Sequence, residues 1–185
     1  MLSLIRTSFA YMDGRIDPPS SMHRLTPQAL ATQAETGEIW VIGQRALACV
    51  FLTPKADCLY LGKLAVAAEA RGQGLAHRLV QLAEERARAL HLPRIEVQTR
   101  VELTENHLAF TAMGFREIGR TTHDGYTRPT SITFSKAVQD QIPSAPRIAG
   151  SAAAATMPTT AATANRSQNR SSRGAKAPRL PHTRA

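Results

Sequence analysis

The stretch from Leu59 to Leu90 constrains the fold more than any other part of the chain. Leu59, Tyr60, Leu61, Leu64, Ala65 and Val66 form a nearly continuous apolar run, the pattern of a strand covered on both faces. A short connector, Ala67-Ala68-Glu69-Ala70, leads into Arg71-Gly72-Gln73-Gly74-Leu75-Ala76. Beyond it, Leu75, Leu79, Leu82 and Leu90 recur on one stripe with Ala76, Val80, Ala83 and Ala87 beside it, which predicts a long amphipathic helix packed on a core. Two glycines in a helix interior would each cost about 1 kcal/mol relative to Ala. Gly72 and Gly74 at a helix start therefore answer a demand of the backbone.

Strand, glycine turn and helix in that order make an anion site. The first N–H groups of a helix have no internal partner and lie at the positive end of its dipole, and glycine lets a phosphate approach the main chain closely. A pyrophosphate fits such a place. Two nucleotide loops do not fit the residues: the third glycine of G-x-G-x-x-G, counted from Gly72, falls on His77, and the Gly-Lys of a P-loop occurs only as Gly62-Lys63, inside the strand and followed by Leu64.

The turn resembles the acetyl-CoA signature of the GNAT acetyltransferase superfamily, Gln/Arg-x-x-Gly-x-Gly/Ala, read as Arg71, Gly74 and Ala76. Leu64-Ala65-Val66 matches the family's approach to that turn. Thr104-Glu105-Asn106, Phe110 and Met113-Gly114-Phe115 resemble its later helix, and the likeness runs from about Gly37 to Val138. It implies an α/β (α+β) fold with a mixed, mostly antiparallel twisted sheet, a central splayed pair of parallel strands and flanking helices.

The resemblance further implies acetyl-CoA as co-substrate, its pantetheine lying in the splay and paired with the exposed main chain of Leu64, Ala65 and Val66. Arg71, Gly72, Gln73, Gly74, Leu75 and Ala76 would surround the pyrophosphate, with Asn106 and Phe110 as further cofactor contacts. The implied activity is direct acetyl transfer to a primary amine of a small molecule or peptide. Phe110 stands where the family usually has the tyrosine that protonates the departing thiolate, so Tyr126 is the candidate catalytic hydroxyl. Tyr60 to Val66 contains no carboxylate to act as base, leaving Glu96 and Glu102 as substitutes. These departures define an alternative, a GNAT fold that binds acyl-CoA or a partner with little or no turnover.

Read in order, Leu2, Ile5, Phe9 and Met12 have helical spacing, so the chain begins in a helix and lacks the strand with which family members usually start. Residues 13–21 form a loop around Pro18-Pro19, with Arg15, Asp17 and His23 available to solvent or to an acceptor. Thr26-Pro27 opens a second helix that ends near Gly37. Residues 38–42 and 46–52 should form a hairpin about Gly43-Gln44-Arg45. Ile95, Val97 and Thr99 alternate as a strand parallel to the central one, Thr104 is expected to cap a short helix, and 115–121 with 131–137 close the fold as a hairpin.

Charge separates the ends of the chain. Residues 1–136 hold 16 Lys and Arg against 13 Asp and Glu, a net +3, whereas 137–185 hold 7 against 1, a net +6. Residues 1–138 are thus expected to form one domain, and 139–185, rich in Ala, Thr, Ser, Pro and Arg, a disordered basic tail. Its arginines come without interleaved aromatics, so nucleic acid is not the expected partner. Cys49 and Cys58 lack metal-ligand spacing, which implies reduced thiols, no metal site and a cytoplasmic protein. No apolar run reaches the ~18 residues of a membrane span. The oligomeric state stays open, a homodimer among the options.

Overall fold

A computed structural model of the chain describes residues 1–138; the expected tail, 139–185, lies outside the described residues. The elements are α1 (Leu2–Phe9), α2 (Pro27–Thr36), β1 (Glu38–Ile42), β2 (Ala48–Pro54), β3 (Leu59–Val66), α3 (Leu75–Ala89), β4 (Arg94–Arg100), α4 (Thr104–Ala112), β5 (Arg116–Thr121) and β6 (Ser131–Ala137). Short 3-10 turns at Ala10–Met12, Ser21–Arg24 and Ala68–Ala70 join them. Among the described residues no strand precedes α1.

One six-stranded sheet runs in the order β1-β2-β3-β4-β6-β5. Every neighbouring pair is antiparallel except β3 with β4, which run parallel because the connection between them includes α3. The mixed sheet with one central parallel pair and flanking helices agrees with the fold class expected from the sequence.

Alternation along the strands divides the core into two layers. Val50 and Leu52 of β2, Leu59 and Leu61 of β3, and Ile95 and Val97 of β4 meet Leu79, Val80, Ala83 and Ala87 of α3. Cys49 and Phe51, the intervening residues of β2, meet Ile5 of α1, with Leu30 of α2 at the margin. The leucine and alanine stripe of α3 is thus the face that fills the larger core, and α1 and α2 cover the other side.

Local chemistry sets most boundaries. Thr26 Oγ1 accepts the Ala29 N–H at 3.1 Å and caps α2. Thr104 does not cap α4: Leu103 holds the N-cap position with no side-chain bond, and Thr104 is the first helical residue. The first hairpin is also longer than the glycine alone suggests. Residues 43–47 connect β1 to β2, closed by Leu47 N–H to the Ile42 carbonyl at 2.8 Å, with both Gly43 and Ala46 at positive φ.

Candidate functional site

The central opening begins where β3 stops following β4. Their parallel register holds only for Leu59–Ile95, Tyr60–Glu96 and Leu61–Val97, while β4 continues to pair with β6 as far as Arg100–Ser131. Beyond Leu61, β3 carries an irregularity against β2: Cys49 pairs with Ala65, but Phe51 pairs with Gly62. One residue of β2, Val50, therefore spans two of β3, Lys63 and Leu64, which is a bulge.

Lys63 sits in it with φ 50°, a left-handed conformation that costs a non-glycine residue roughly 1–2 kcal/mol. The extra residue inverts the alternation. Leu59 and Leu61 face the α3 layer, and so do Leu64 and Val66 after the bulge, whereas Ala65 turns to the α1 layer. Leu64, Ala65 and Val66 consequently run beside the opening with no strand partner on the β4 side. The Val66 carbonyl accepts a hydrogen bond from Ser8 Oγ at 3.1 Å, which ties α1 to this end of β3.

The glycine turn follows directly. Gly72 and Gly74 have φ 74° and 75°, and a Cβ built on either would meet nothing within 4 Å. Left-handed backbone, rather than crowding, is what demands glycine at both positions. Gly74 occupies the N-cap position of α3 without a side-chain cap, and the first helical bond runs from Arg78 N–H to its carbonyl at 3.0 Å. The amides of Leu75, Ala76 and His77 thus face outward at the positive end of a 15-residue helix. Arg71 is exposed at the head of the turn, and Gln73 Nε2 donates to the Glu69 carbonyl at 3.1 Å.

Two cavities meet at Leu64 and Val66. The smaller, about 410 Å³, reaches Arg71 past Asn106 and Glu105. The larger, about 970 Å³, extends to Lys63, Arg100 and the loops at 18–24 and 123–126. Ala76, Asn106 and Phe110 also line the larger one, so the structure brings most of the residues singled out in the sequence to one connected space. Phe110 is 8% exposed and packs edge-on against Phe115, ring centroids 5.6 Å apart.

A hydroxyl that sequence reasoning missed stands at the seam. Tyr11, in the turn after α1, lines both cavities, and its oxygen lies 3.1 Å from Asn106 Nδ2. Asn106 Nδ2 also approaches Thr99 Oγ1 at 3.4 Å. The helical spacing of Leu2, Ile5 and Phe9 gives no hint of this, because the contact joins residues far apart in the chain.

The loops at the other end are cross-linked by polar contacts. Tyr126 lines the larger cavity, and its hydroxyl donates to Asp17 Oδ1, a bond that with the nearby charge raises the phenol's pKa above its ordinary value. His23 Nε2 is 2.8 Å from Asp13 Oδ1, and Arg15 pairs with Glu105 at 2.7 Å. Glu96 is held by Arg94 at 2.8 Å, and Glu102 lies between Arg100 and Arg128. Neither carboxylate lines the larger cavity. Among the described residues no group of three or more His, Cys, Asp or Glu is placed to hold a metal ion, and no helix is long and apolar enough to cross a membrane.

Comparison with known proteins gives a consistent result. The model of the acetyltransferase (GNAT) family matches residues 6–115, more than half of the chain. No curated protein matches the sequence significantly. A GNAT family acetyltransferase from Listeria monocytogenes superposes with a TM-score of 0.57 at 14% identity, over 73% of this chain and 86% of the other. A GNAT family acetyltransferase from Elizabethkingia anophelis with acetyl-CoA bound gives 0.52 at 16% identity, over 60% and 83%. An acetyltransferase from Bacillus subtilis in complex with CoA gives 0.50 at 17% identity, over 62% and 85%. At these identities the likeness is one of fold.

Proposed function

The chain belongs to the acetyltransferase (GNAT) family, and from that membership we propose that it moves an acetyl group from acetyl-CoA to a primary amine of a small molecule or peptide by direct transfer. The observation that carries this reading is the opening between β3 and β4, bordered by Arg71 and Ala76 from the two ends of the glycine turn and continuing into the larger cavity. The residues fit the co-substrate: space above Gly72 and Gly74 is open to a pyrophosphate, and the edge of β3 is open to an extended amide chain.

In this reading Leu64, Ala65 and Val66 hold the pantetheine arm by main-chain bonds. Arg71, Gly72, Gln73, Gly74, Leu75 and Ala76 enclose the pyrophosphate, Arg71 by charge and the rest through the backbone. Asn106 and Phe110 border the arm from α4. The thioester supplies an acyl carbon to which the amine nitrogen bonds as the carbon–sulfur bond breaks, so the sulfur must gain a proton and the nitrogen lose one. Tyr11, held by Asn106 at the seam, is the hydroxyl best placed to give that proton. Tyr126 is the alternative donor, its hydroxyl engaged by the Asp17 carboxylate where that of Tyr11 donates only across 3.4 Å to Asn106 Oδ1. Two unpaired, buried cysteines, Cys49 and Cys58, suit a cytoplasmic setting.

The test is to incubate the full chain with acetyl-CoA and a panel of amines, and to follow free thiol together with the N-acetylated product by mass spectrometry. Coupled appearance of both supports the proposal. Thiol without N-acetyl product contradicts it. The second reading, a binding module with little turnover, draws on Phe110, whose ring packs against Phe115 and offers no proton. Under it, acetyl-CoA binds the chain, no amine is acetylated, and Phe110→Tyr restores nothing.

A further inference from the structure

The lining of the larger cavity carries more positive than negative charge. Arg24, Lys63 and Arg100 line it, against one carboxylate, Asp124. Among the described residues neither Arg24 nor Lys63 has an acidic partner; Lys63 Nζ donates to Ser21 Oγ at 2.7 Å. Burial, and then the charge of Arg24, pushes the Lys63 pKa below its ordinary value. Of the acids nearby, Asp13 is held by His23 and Asp17 accepts from Tyr126, while the charges of Glu102 and Asp17 both act on Arg100.

Arg100 makes the shortage specific. Its side chain is 13% exposed, and its Nε and Nη2, like the facing Glu102 Oε2, are buried without a hydrogen-bond partner. The closest carboxylate, Glu102, stops 3.9 Å from Nε and reaches Arg128 at 3.5 Å with its other oxygen. Buried donors left unmatched call for a ligand or a function, and a planar guanidinium matches a carboxylate by paired hydrogen bonds. Arg71 lines only the smaller cavity, so of the turn residues only Ala76 shares the larger cavity with this cluster.

Resting on the transferase reading, we propose that the acceptor is an amine that also carries a carboxylate, seated on Arg100 with Lys63 and Arg24 around it. An amino acid, or a short peptide with an acidic group near its amine, has this chemistry. A polyamine is repelled by the same wall.

The test separates the subsite from the transfer reaction. N-acetylglycine, N-acetyl-β-alanine and N-acetylglutamate, each beside its amide, are titrated into the full chain by calorimetry without acetyl-CoA, and acetyl-CoA is titrated separately. At least one acid should bind about tenfold or more tighter than its amide, with the preference falling to about twofold in Arg100→Gln and in Lys63→Met. Thermal unfolding checks both variants, and Lys63→Met stands if Arg100→Gln does not fold. Equal or absent binding of every acid and its amide, or a preference untouched by both variants, overturns the proposal. Carboxylate selectivity without acetyl-CoA binding keeps the subsite and removes the transferase reading; the reverse removes the subsite alone.

Discussion

The glycine turn at the head of α3 and the cationic wall of the larger cavity are built by opposite means. The turn is six consecutive residues whose chemistry is local: left-handed glycines, outward amides and an exposed arginine. The wall takes Arg24 from a loop, Lys63 from a bulge in β3, Arg100 from the end of β4 and Tyr126 from a distant hairpin. Consecutive residues can hold a ligand common to a whole family. A surface gathered from four places can change one residue at a time and so suits the part of the reaction that differs between members.

The two ends should therefore fail independently. Gly74→Glu places a side chain and a negative charge at the proposed pyrophosphate site, and should weaken acetyl-CoA by about a hundredfold or more, roughly 2.7 kcal/mol. Binding of N-acetylglutamate should be unchanged. Loss of both ligands in a folded variant would show one continuous site in place of two. Because Gly74 has φ 75°, Gly74→Ala serves as the control for strain, expected to lower stability by about 1 kcal/mol with acetyl-CoA still bound.

The seam between the ends is the next place to break. Tyr11→Phe should slow thiol release by about a hundredfold or more with acetyl-CoA affinity unaltered, the range expected on losing a positioned acid. If Tyr126→Phe carries that loss instead, the proton comes from the acceptor end. Otherwise Tyr126→Phe, like Asp17→Asn, should raise the acceptor KM about threefold and leave the acetyl-CoA KM alone, as an exposed loop-to-loop hydrogen bond contributes modestly.

The smallest expected effect touches neither end. Burial raises the Cys49 and Cys58 thiols from 9.0 to about 11. The unfolded thiols lose their protons first as pH rises, so this contribution is whole below about pH 9 and declines as pH climbs towards 11. Denaturation midpoints should be flat from pH 7 to about 8.5 and fall above it, with both ligands lost together only when the domain unfolds. A midpoint that rises across that interval would show the thiols ionising more readily in the fold.

How much of this could be read in advance follows the same division. The β3–turn–α3 unit was legible because its apolar periodicity, glycines and leucine stripe lie in one stretch, and the parallel pair followed from the helix between Val66 and Ile95. The bulge at Lys63 was not, since an extra residue in a strand shows only in its register with β2. That bulge also decides which way Leu64, Ala65 and Val66 face. Tyr11 was hidden for a related reason: its partner, Asn106, is brought to it by packing of α1 on β3. Thr104 looked like a cap because Thr favours that position, yet Leu103 takes it, and the local preference yields to tertiary placement. Of the acids weighed as bases, Glu96 is bound by Arg94 and Glu102 by its own arginine neighbours, pairings that spacing alone does not reveal.

The central claim is that acetyl-CoA lies from the Arg71–Ala76 turn into the gap beside Leu64–Val66. Calorimetric titration of acetyl-CoA into the full chain, wild type beside Gly74→Glu, tests it most directly. The account predicts one saturable site near micromolar affinity, about −8 kcal/mol, weakened about a hundredfold or more in a Gly74→Glu variant that still unfolds cooperatively. Equal binding by both proteins, or none by a folded wild type, would contradict it.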